Sequence, residues 1–193
     1  MSTNKLKGRP SFPFETIAIA IAFSPRLEAI LSEAKRIVDV LKSNLILIHI
    51  GEKTNGKEEQ LDKLMSKFNY DKNTTRIIWM EGDPVETILK LCKLNIVDLL
   101  IIGALEKENI VKYYLSSIAR SISRKAKCSV LLLTNPSKEE DKVKKIIVNG
   151  TDNPKTIHTL NTALYVAKKI WGKGNKSGKG NRYSCISHGD GGR

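Results

Sequence analysis

The chain has 193 residues, 40% of them hydrophobic, and a formal net charge of +13, so it is long enough for one ordinary domain and part of a second. No apolar run approaches the roughly 20 residues of a membrane-spanning helix, and the basic residues 1–10 are not followed by the apolar segment of a signal peptide. Three widely spaced cysteines, Cys92, Cys128 and Cys185, argue against a disulfide framework or a zinc site. We therefore expect a cytoplasmic protein with no membrane partner.

Five short runs rich in Ile, Val and Leu alternate with segments of helical periodicity. Most of the runs are apolar on both faces, which is typical of central strands in a parallel sheet that helices cover. The predicted strands are Thr16–Ala22, Leu45–Ile50, Arg76–Met80, Val97–Ile102 and Ser129–Leu133. This alternation predicts an α/β fold: a doubly wound five-stranded parallel sheet with helices on both faces.

Helix starts are marked by capping residues between the predicted strands. Asp83-Pro84 places an N-cap acceptor before a proline at the first helical position. Ser24-Pro25 predicts the start of the first helix in the same way. A weaker, more charged helix is predicted over Gly56–Phe68.

A second copy of the first strand and helix begins after a polar linker. Without a gap, Pro25 aligns with Pro154 and Ala34 with Ala163, which indicates an internal repeat. The repeat then stops in a segment rich in Gly, Ser and Lys that cannot bury a core. The predicted divisions are an N-terminal extension (1–14), a complete domain (15–135), a linker (136–143), a truncated second copy (144–171) and a flexible basic tail (172–193).

Several local signatures occur in a fixed order along the chain. They are Phe23-Ser24-Pro25, Gly82-Asp83-Pro84, Asp98–Gly103, Leu115–Ala119 and Lys127–Leu132. In these features the chain resembles the universal stress protein family over about residues 15–135 and again over 144–171. The resemblance implies the strand order 3-2-1-4-5 and tandem copies. It also supports a homodimer through Ser129–Leu133, an edge strand whose unpaired backbone groups invite pairing.

The resemblance also implies a candidate nucleotide site. In the ATP-binding branch of the family, a loop reads Gly-x2-Gly-x9-Gly-(Ser/Thr), and its fixed positions fall here on Gly103, Glu106, Ser116 and Ser117. Gly103 and Ser117 match, whereas Glu106 and Ser116 replace glycines. Ala22 stands where the family has an aspartate that holds the nucleotide. ATP is therefore the candidate cofactor, and we expect it to bind weakly if at all.

The same residues also have structural interpretations. Gly103 can simply turn the chain at a strand end, and this interpretation is favoured because its partner glycines are missing. Ser116 and Ser117 are explained equally well as helix caps or as groups that bind an anion at a helix N-terminus. The histidines lack ligand spacing, and His49 at a strand end is interpreted as structural. We predict no metal ligand and no catalytic residue, while weak ATP hydrolysis stays open.

These observations predict a non-catalytic stress-response or regulatory module, dimeric, with a degenerate nucleotide pocket. One alternative is an ATP- or AMP-binding signalling domain. Another is polyanion binding through the basic C-terminus, because residues 136–193 hold 12 basic and 5 acidic side chains. A nucleic-acid partner is not expected, since aromatic residues are only 6% of the chain and no nucleic-acid-binding motif occurs.

Overall fold

The computed structural model describes residues 14–103, 116–137, 143, 145–148 and 156–172. The chain divides into two compact units, residues 1–140 and 141–193. The strands are β1 (Thr16–Ile21), β2 (Asn44–Ile50), β3 (Thr75–Met80), β4 (Leu99–Gly103) and β5 (Ser129–Leu133). The helices are α1 (Leu27–Leu41), α2 (Asn55–Lys67), α3 (Pro84–Leu94), α4 (Ser117–Lys125) and α5 (Thr156–Trp171).

The five strands form one sheet in the order β3-β2-β1-β4-β5, and every neighbouring pair is parallel. Ala20 of β1 pairs with Ile48 of β2 on one side and with Ile102 of β4 on the other. The predicted fold class and strand order are therefore confirmed. The order reverses between β1 and β4, because β1 leads to β2 whereas β4 returns to the far side of β1.

The central strands are apolar on both faces because each face is covered. Alternate strand residues such as Ala18, Ile46 and Leu100 form one core with the apolar sides of α3 and α4. The residues between them point to the opposite face, where Ile19 and Leu47 are fully buried. This double covering is the physical reason why unbroken apolar runs, rather than alternating ones, predicted the strands.

Helix N-termini are capped by side chains at three places. The side chains of Thr54, Asp83 and Ser116 accept backbone N–H groups in the first turns of α2, α3 and α4. The predicted start of α1 at Ser24-Pro25 is wrong. The N-cap of α1 is Arg26, whose side chain makes no cap hydrogen bond. Ser24 instead closes a turn that precedes the helix, with its carbonyl accepting Leu27 N–H at 3.0 Å.

Three helices end on a residue with a left-handed backbone, and none of these residues is glycine. They are Lys42 after α1, Asn69 after α2 and Ile96 after α3, with φ angles of 56°, 53° and 50°. The N–H of the following residue bonds to a carbonyl in the last helical turn, as Val97 does to Cys92 at 2.9 Å. This is the Schellman arrangement, in which glycine is the usual left-handed residue.

The second unit is described over one helix and a short preceding segment. In α5, Ala167 is buried, and Trp171 Nε1 donates to the Val143 carbonyl at 2.9 Å. Residues 145–148, inside the predicted strand of the second copy, are not in a strand, and the rest of that predicted strand lies outside the described residues. The division of the chain into a complete domain and a truncated copy stays a prediction.

Candidate functional site

The candidate crevice lies at the carboxyl ends of β1 and β4, where the strand order reverses. Ala22 follows β1 directly and is exposed, and Gly103 is the last residue of β4. Because Ala20 and Ile102 are paired in neighbouring parallel strands, Ala22 and Gly103 emerge at the same edge of the sheet. Two of the predicted positions are thus brought together at a topological switch point, the usual place for a ligand in an open α/β sheet.

Gly103 makes room for α1 at the end of β4. A Cβ on this residue would lie 2.5 Å from Ile30 Cδ1, which belongs to α1. The backbone of Gly103 is not left-handed, so a turn does not require glycine here. Close packing of α1 against the end of β4 therefore accounts for the missing side chain. A role in phosphate binding stays a prediction.

Ser116 and Ser117 lie at the start of α4. The Ser116 hydroxyl oxygen accepts Ala119 N–H at 3.1 Å, which makes Ser116 the N-cap, and Ser117 is exposed at the first helical position. A capped helix N-terminus still has a positive end that attracts anions. The structure therefore contains the capping interaction, and binding of an anion stays a prediction. Glu106 lies outside the described residues, so the middle of the loop has no structural account.

No carboxylate stands at position 22, at the end of β1. Ala22 offers only its backbone polar groups, and its carbonyl already accepts Ser24 N–H at 2.9 Å in the turn before α1. A ribose hydroxyl at this edge would therefore find no side-chain acceptor on residue 22. This difference from the family pattern is visible in the sequence, and the structure places it beside the end of β4.

One family model matches part of the chain. Residues 51–134 match the model of the universal stress protein family. The matched range runs from the end of β2 to the residue after β5, so it includes Gly103, Ser116 and Ser117.

Solved structures agree with this fold. The chain is similar to a universal stress protein in complex with cAMP, with 18% identity and a TM-score of 0.52, over 62% of this chain and 96% of that one. It is also similar to a universal stress protein from Archaeoglobus fulgidus, with 17% identity and a TM-score of 0.52, over 63% and 99%. A third, from Archaeoglobus fulgidus DSM 4304, has 18% identity and a TM-score of 0.52, over 65% of this chain and 46% of that one.

An aromatic cluster at the carboxyl edge of the sheet was not predicted. Phe23 lies just after β1, and His49 and Trp79 lie near the ends of β2 and β3. The Phe23 and Trp79 rings are nearly parallel, and their centroids are 5.7 Å apart. The His49 ring meets both edge-on, with centroid distances of 4.9 Å to Phe23 and 5.0 Å to Trp79. His49 pairs with Trp79 across β2 and β3, so the strand register brings these two rings together. The register cannot be inferred from the sequence before the strand order is known, and the cluster was therefore missed.

His49 is buried in this cluster with one ring nitrogen bonded. Its Nδ1 lies 3.2 Å from the Ile21 carbonyl oxygen, so Nδ1 carries the proton and donates. Among the described residues, the buried Nε2 atom has no hydrogen-bond partner. Gly51, with φ +141°, lies against it, and a Cβ there would be 3.3 Å from Nε2. The structural interpretation of His49 agrees with its burial and its bond to β1.

A separate cleft of about 390 Å³ opens between the start of α1 and one side of α2. Its lining includes Ser24, Glu28, Glu59 and Lys63, and Glu28 also forms an ion pair with Lys67 at 2.5 Å. The cleft does not include Ala22, Gly103, Ser116 or Ser117. Because none of the predicted site residues lines it, the cleft is distinct from the predicted nucleotide site. Its lining carries both signs of charge.

Two absences concern only the part of the chain that the structure describes. In the described ranges between 14 and 172, no group of three or more His, Cys, Asp or Glu side chains is placed to hold a metal ion. Over the same ranges, no helix combines the length and apolar character that crossing a bilayer requires.

Proposed function

We propose that the chain is a non-catalytic stress-response module whose universal stress protein domain binds adenine nucleotides weakly at the crevice between β1 and β4. The observation that carries the proposal is Ala22, which stands without a carboxylate at the strand end beside Gly103. A structural neighbour is a universal stress protein in complex with cAMP, which supports nucleotide as the ligand class.

The loop after β4 supports weak rather than tight binding. Glycines let backbone N–H groups converge on a phosphate without side chains in the way, and Glu106 and Ser116 replace two of them. A carboxylate within about 4 Å of a phosphate would cost about 1 kcal/mol in water and about 4 kcal/mol at an effective dielectric of 20. The corresponding loss of affinity is roughly tenfold to a thousandfold.

Titration calorimetry with ATP, AMP and cAMP tests the proposal. We expect weak binding by the natural chain and stronger binding after Ala22→Asp, Glu106→Gly and Ser116→Gly are combined. The combination Ala22→Asp, Glu108→Gly and Ser116→Gly is the matched control, because Glu108 lies outside the family pattern. Submicromolar ATP affinity in the natural chain would contradict the proposal and support an ATP-binding signalling domain instead.

We also propose that the module dimerises through β5. In the described sheet β5 is an outer strand that pairs with β4. Ser129 N–H donates to the Asp98 carbonyl at 3.1 Å, so the backbone groups of Ser129 face β4. The N–H groups of Val130 and Leu132 therefore point away from β4, because backbone direction alternates along a strand. An outer strand with such groups favours pairing with a second copy.

The mass of the full chain in solution, measured by light scattering, tests the dimer. We expect a dimer at tens of micromolar that Leu132→Pro weakens, because proline removes an outward N–H group. Leu132→Ala is the matched control, since it loses the side chain but keeps the N–H. A monomer in the natural chain would contradict dimerisation. Equal dimer strength in both variants would place the interface elsewhere.

The excess of positive charge in residues 136–193 favours a second candidate function, weak binding of polyanions. The expected signature is affinity for duplex DNA of any sequence that falls steeply as salt is raised. The full chain and a chain ending at residue 172 should then differ at low salt and converge at high salt. Equal affinity in both chains would contradict a role for the tail.

A further inference from the structure

Two cysteines far apart in sequence meet at the amino end of the sheet. Cys92 lies in the last turn of α3, and its carbonyl accepts Val97 N–H at 2.9 Å where the chain turns back towards β4. Cys128 lies directly before β5, whose first residue, Ser129, pairs with Leu99 at the start of β4. The ends of α3 and the start of β5 are therefore brought to the same corner of the domain.

The two side chains share one core there. Cys92 belongs to the core between the sheet and helices α3 and α4, and Cys128 packs against that core. Cys92 is 6% exposed, whereas Cys128 is only partly buried, so an oxidant reaches Cys128 first. Neither cysteine is in a disulfide in this structure.

The environments of the two sulfurs give them different chemistry. The hydrogen bond from Cys92 lowers the pKa of Cys128, although burial and the nearby Asp98 carboxylate oppose this effect. The same hydrogen bond, together with burial, raises the pKa of Cys92. Cys128, the more exposed of the two, is therefore the thiol that attacks first, and Cys92 is its neighbour in the core. A nucleophilic thiolate beside a second thiol is the arrangement of a thiol–disulfide exchange site.

We propose that Cys92 and Cys128 form a reversible dithiol–disulfide site that low-molecular-weight disulfides, such as glutathione disulfide, oxidise. The site lies at the amino end of the sheet, opposite the carboxyl end that contains Ala22 and Gly103. It is independent of nucleotide binding.

The reaction takes place in two balanced steps. The Cys128 thiolate attacks one sulfur of glutathione disulfide, the sulfur–sulfur bond breaks, and one glutathione leaves as a thiolate. That thiolate takes the proton from the Cys92 thiol. Cys92 then attacks the Cys128 sulfur, and the second glutathione leaves and takes up the proton that Cys128 had lost. Two protein thiols are oxidised and one glutathione disulfide is reduced to two glutathione molecules.

The disulfide would close a loop over the part of the chain that carries the candidate phosphate loop. Residues 93–127 lie between the two cysteines, and they include β4 with Gly103 and all of α4. Oxidation would thus join α3 covalently to the strand that follows α4.

The test uses the full chain with Cys185→Ser, so that only the two proposed cysteines remain. The folded protein is equilibrated in glutathione buffers of increasing oxidation, quenched with acid, and analysed by intact mass and peptide mapping. We expect a loss of two hydrogens and a peptide that links Cys92 to Cys128, reversed by dithiothreitol. The midpoint of this transition gives the reduction potential of the pair.

Single variants separate the two steps. Cys92→Ser keeps a hydrogen-bond donor but cannot close the disulfide, so we expect it to stop with one glutathione bound to Cys128. Cys128→Ser should leave the buried Cys92 unmodified under the same conditions. Circular dichroism confirms that each variant is folded before it is scored.

Two results would overturn the proposal. One is a folded protein that shows no link between Cys92 and Cys128 in the most oxidising buffer. The other is faster disulfide formation in urea than in native buffer, which would mean that the fold separates the thiols instead of bringing them together.

Discussion

The Asp98 carboxylate accepts the backbone N–H of Thr16, the first residue of β1, at 3.0 Å. The same oxygen accepts Glu15 N–H at 3.0 Å. Asp98 is only 5% exposed, and its own N–H donates to the Thr16 carbonyl. One side chain before β4 therefore fixes the start of the central strand β1.

Asp98→Ala should lower the free energy of unfolding by about 2–4 kcal/mol, because two N–H groups would lose their acceptor where water is largely excluded. Asp98→Asn keeps one side-chain oxygen and should cost less. Urea denaturation followed by circular dichroism measures both. Equal stability of the natural chain and Asp98→Ala would show that water replaces the carboxylate without cost.

Ile96→Gly should stabilise the protein by about 0.5–1 kcal/mol. Ile96 has a left-handed backbone, which costs a β-branched residue about 1–2 kcal/mol, and 46% of the residue is exposed, so little burial is lost. The gain is partly offset by the extra freedom of glycine in the unfolded chain. Lys93→Gly, inside the last turn of α3, is the control and should destabilise by about 1 kcal/mol. A loss of stability on Ile96→Gly would show that the Ile96 side chain contributes more than its backbone costs.

Gly103→Ala should destabilise the protein by about 1–3 kcal/mol, because the new methyl group would meet Ile30 Cδ1 at 2.5 Å. Ile30→Val removes that carbon and should cost about 0.5–1.5 kcal/mol alone. The double variant should therefore be more stable than the sum of the two changes predicts, which a double-mutant cycle measures. Additive effects would place the clash elsewhere.

The reactivity of Cys128 should rise at a lower pH than that of an ordinary thiol. Its lowered pKa means that the thiolate forms earlier as pH increases, and the thiolate is the reactive species. Cys92→Ala removes the hydrogen-bond donor, so the pH profile of Cys128 should move upward, whereas Cys92→Ser should move it less. Alkylation rates with iodoacetamide over pH, in the Cys185→Ser background, measure the shift. Identical profiles in all three proteins would contradict the hydrogen bond as its cause.

The strands could be predicted because their burial on two faces leaves a direct mark on composition. The apolar run Ser129–Leu133 became β5 with the predicted bounds, and Asp83 became the predicted N-cap. The helix start predicted from Ser24-Pro25 was wrong, because a serine before a proline also occurs in turns. Here the turn uses the Ser24 carbonyl, and α1 begins two residues after Pro25.

The candidate site could be predicted only in part. Ala22 and Gly103 fall at one edge because parallel strands end together, which a sequence pattern can indicate. The closeness of Gly103 to Ile30 and the shared core of Cys92 and Cys128 depend on how helices pack on the sheet. Cys92 belongs to the core and Cys128 packs against it. That two cysteines 36 positions apart share this core could not be read from the sequence.

The chain has two tryptophans, and they fall in different units. Trp79 belongs to the aromatic cluster at the end of β3, and Trp171 ends α5 with its indole bonded to Val143. Each unit therefore has its own fluorophore. Replacing either one with phenylalanine leaves a single tryptophan, so selective excitation of tryptophan records unfolding of the sheet and loss of the last helix separately within the full-length chain.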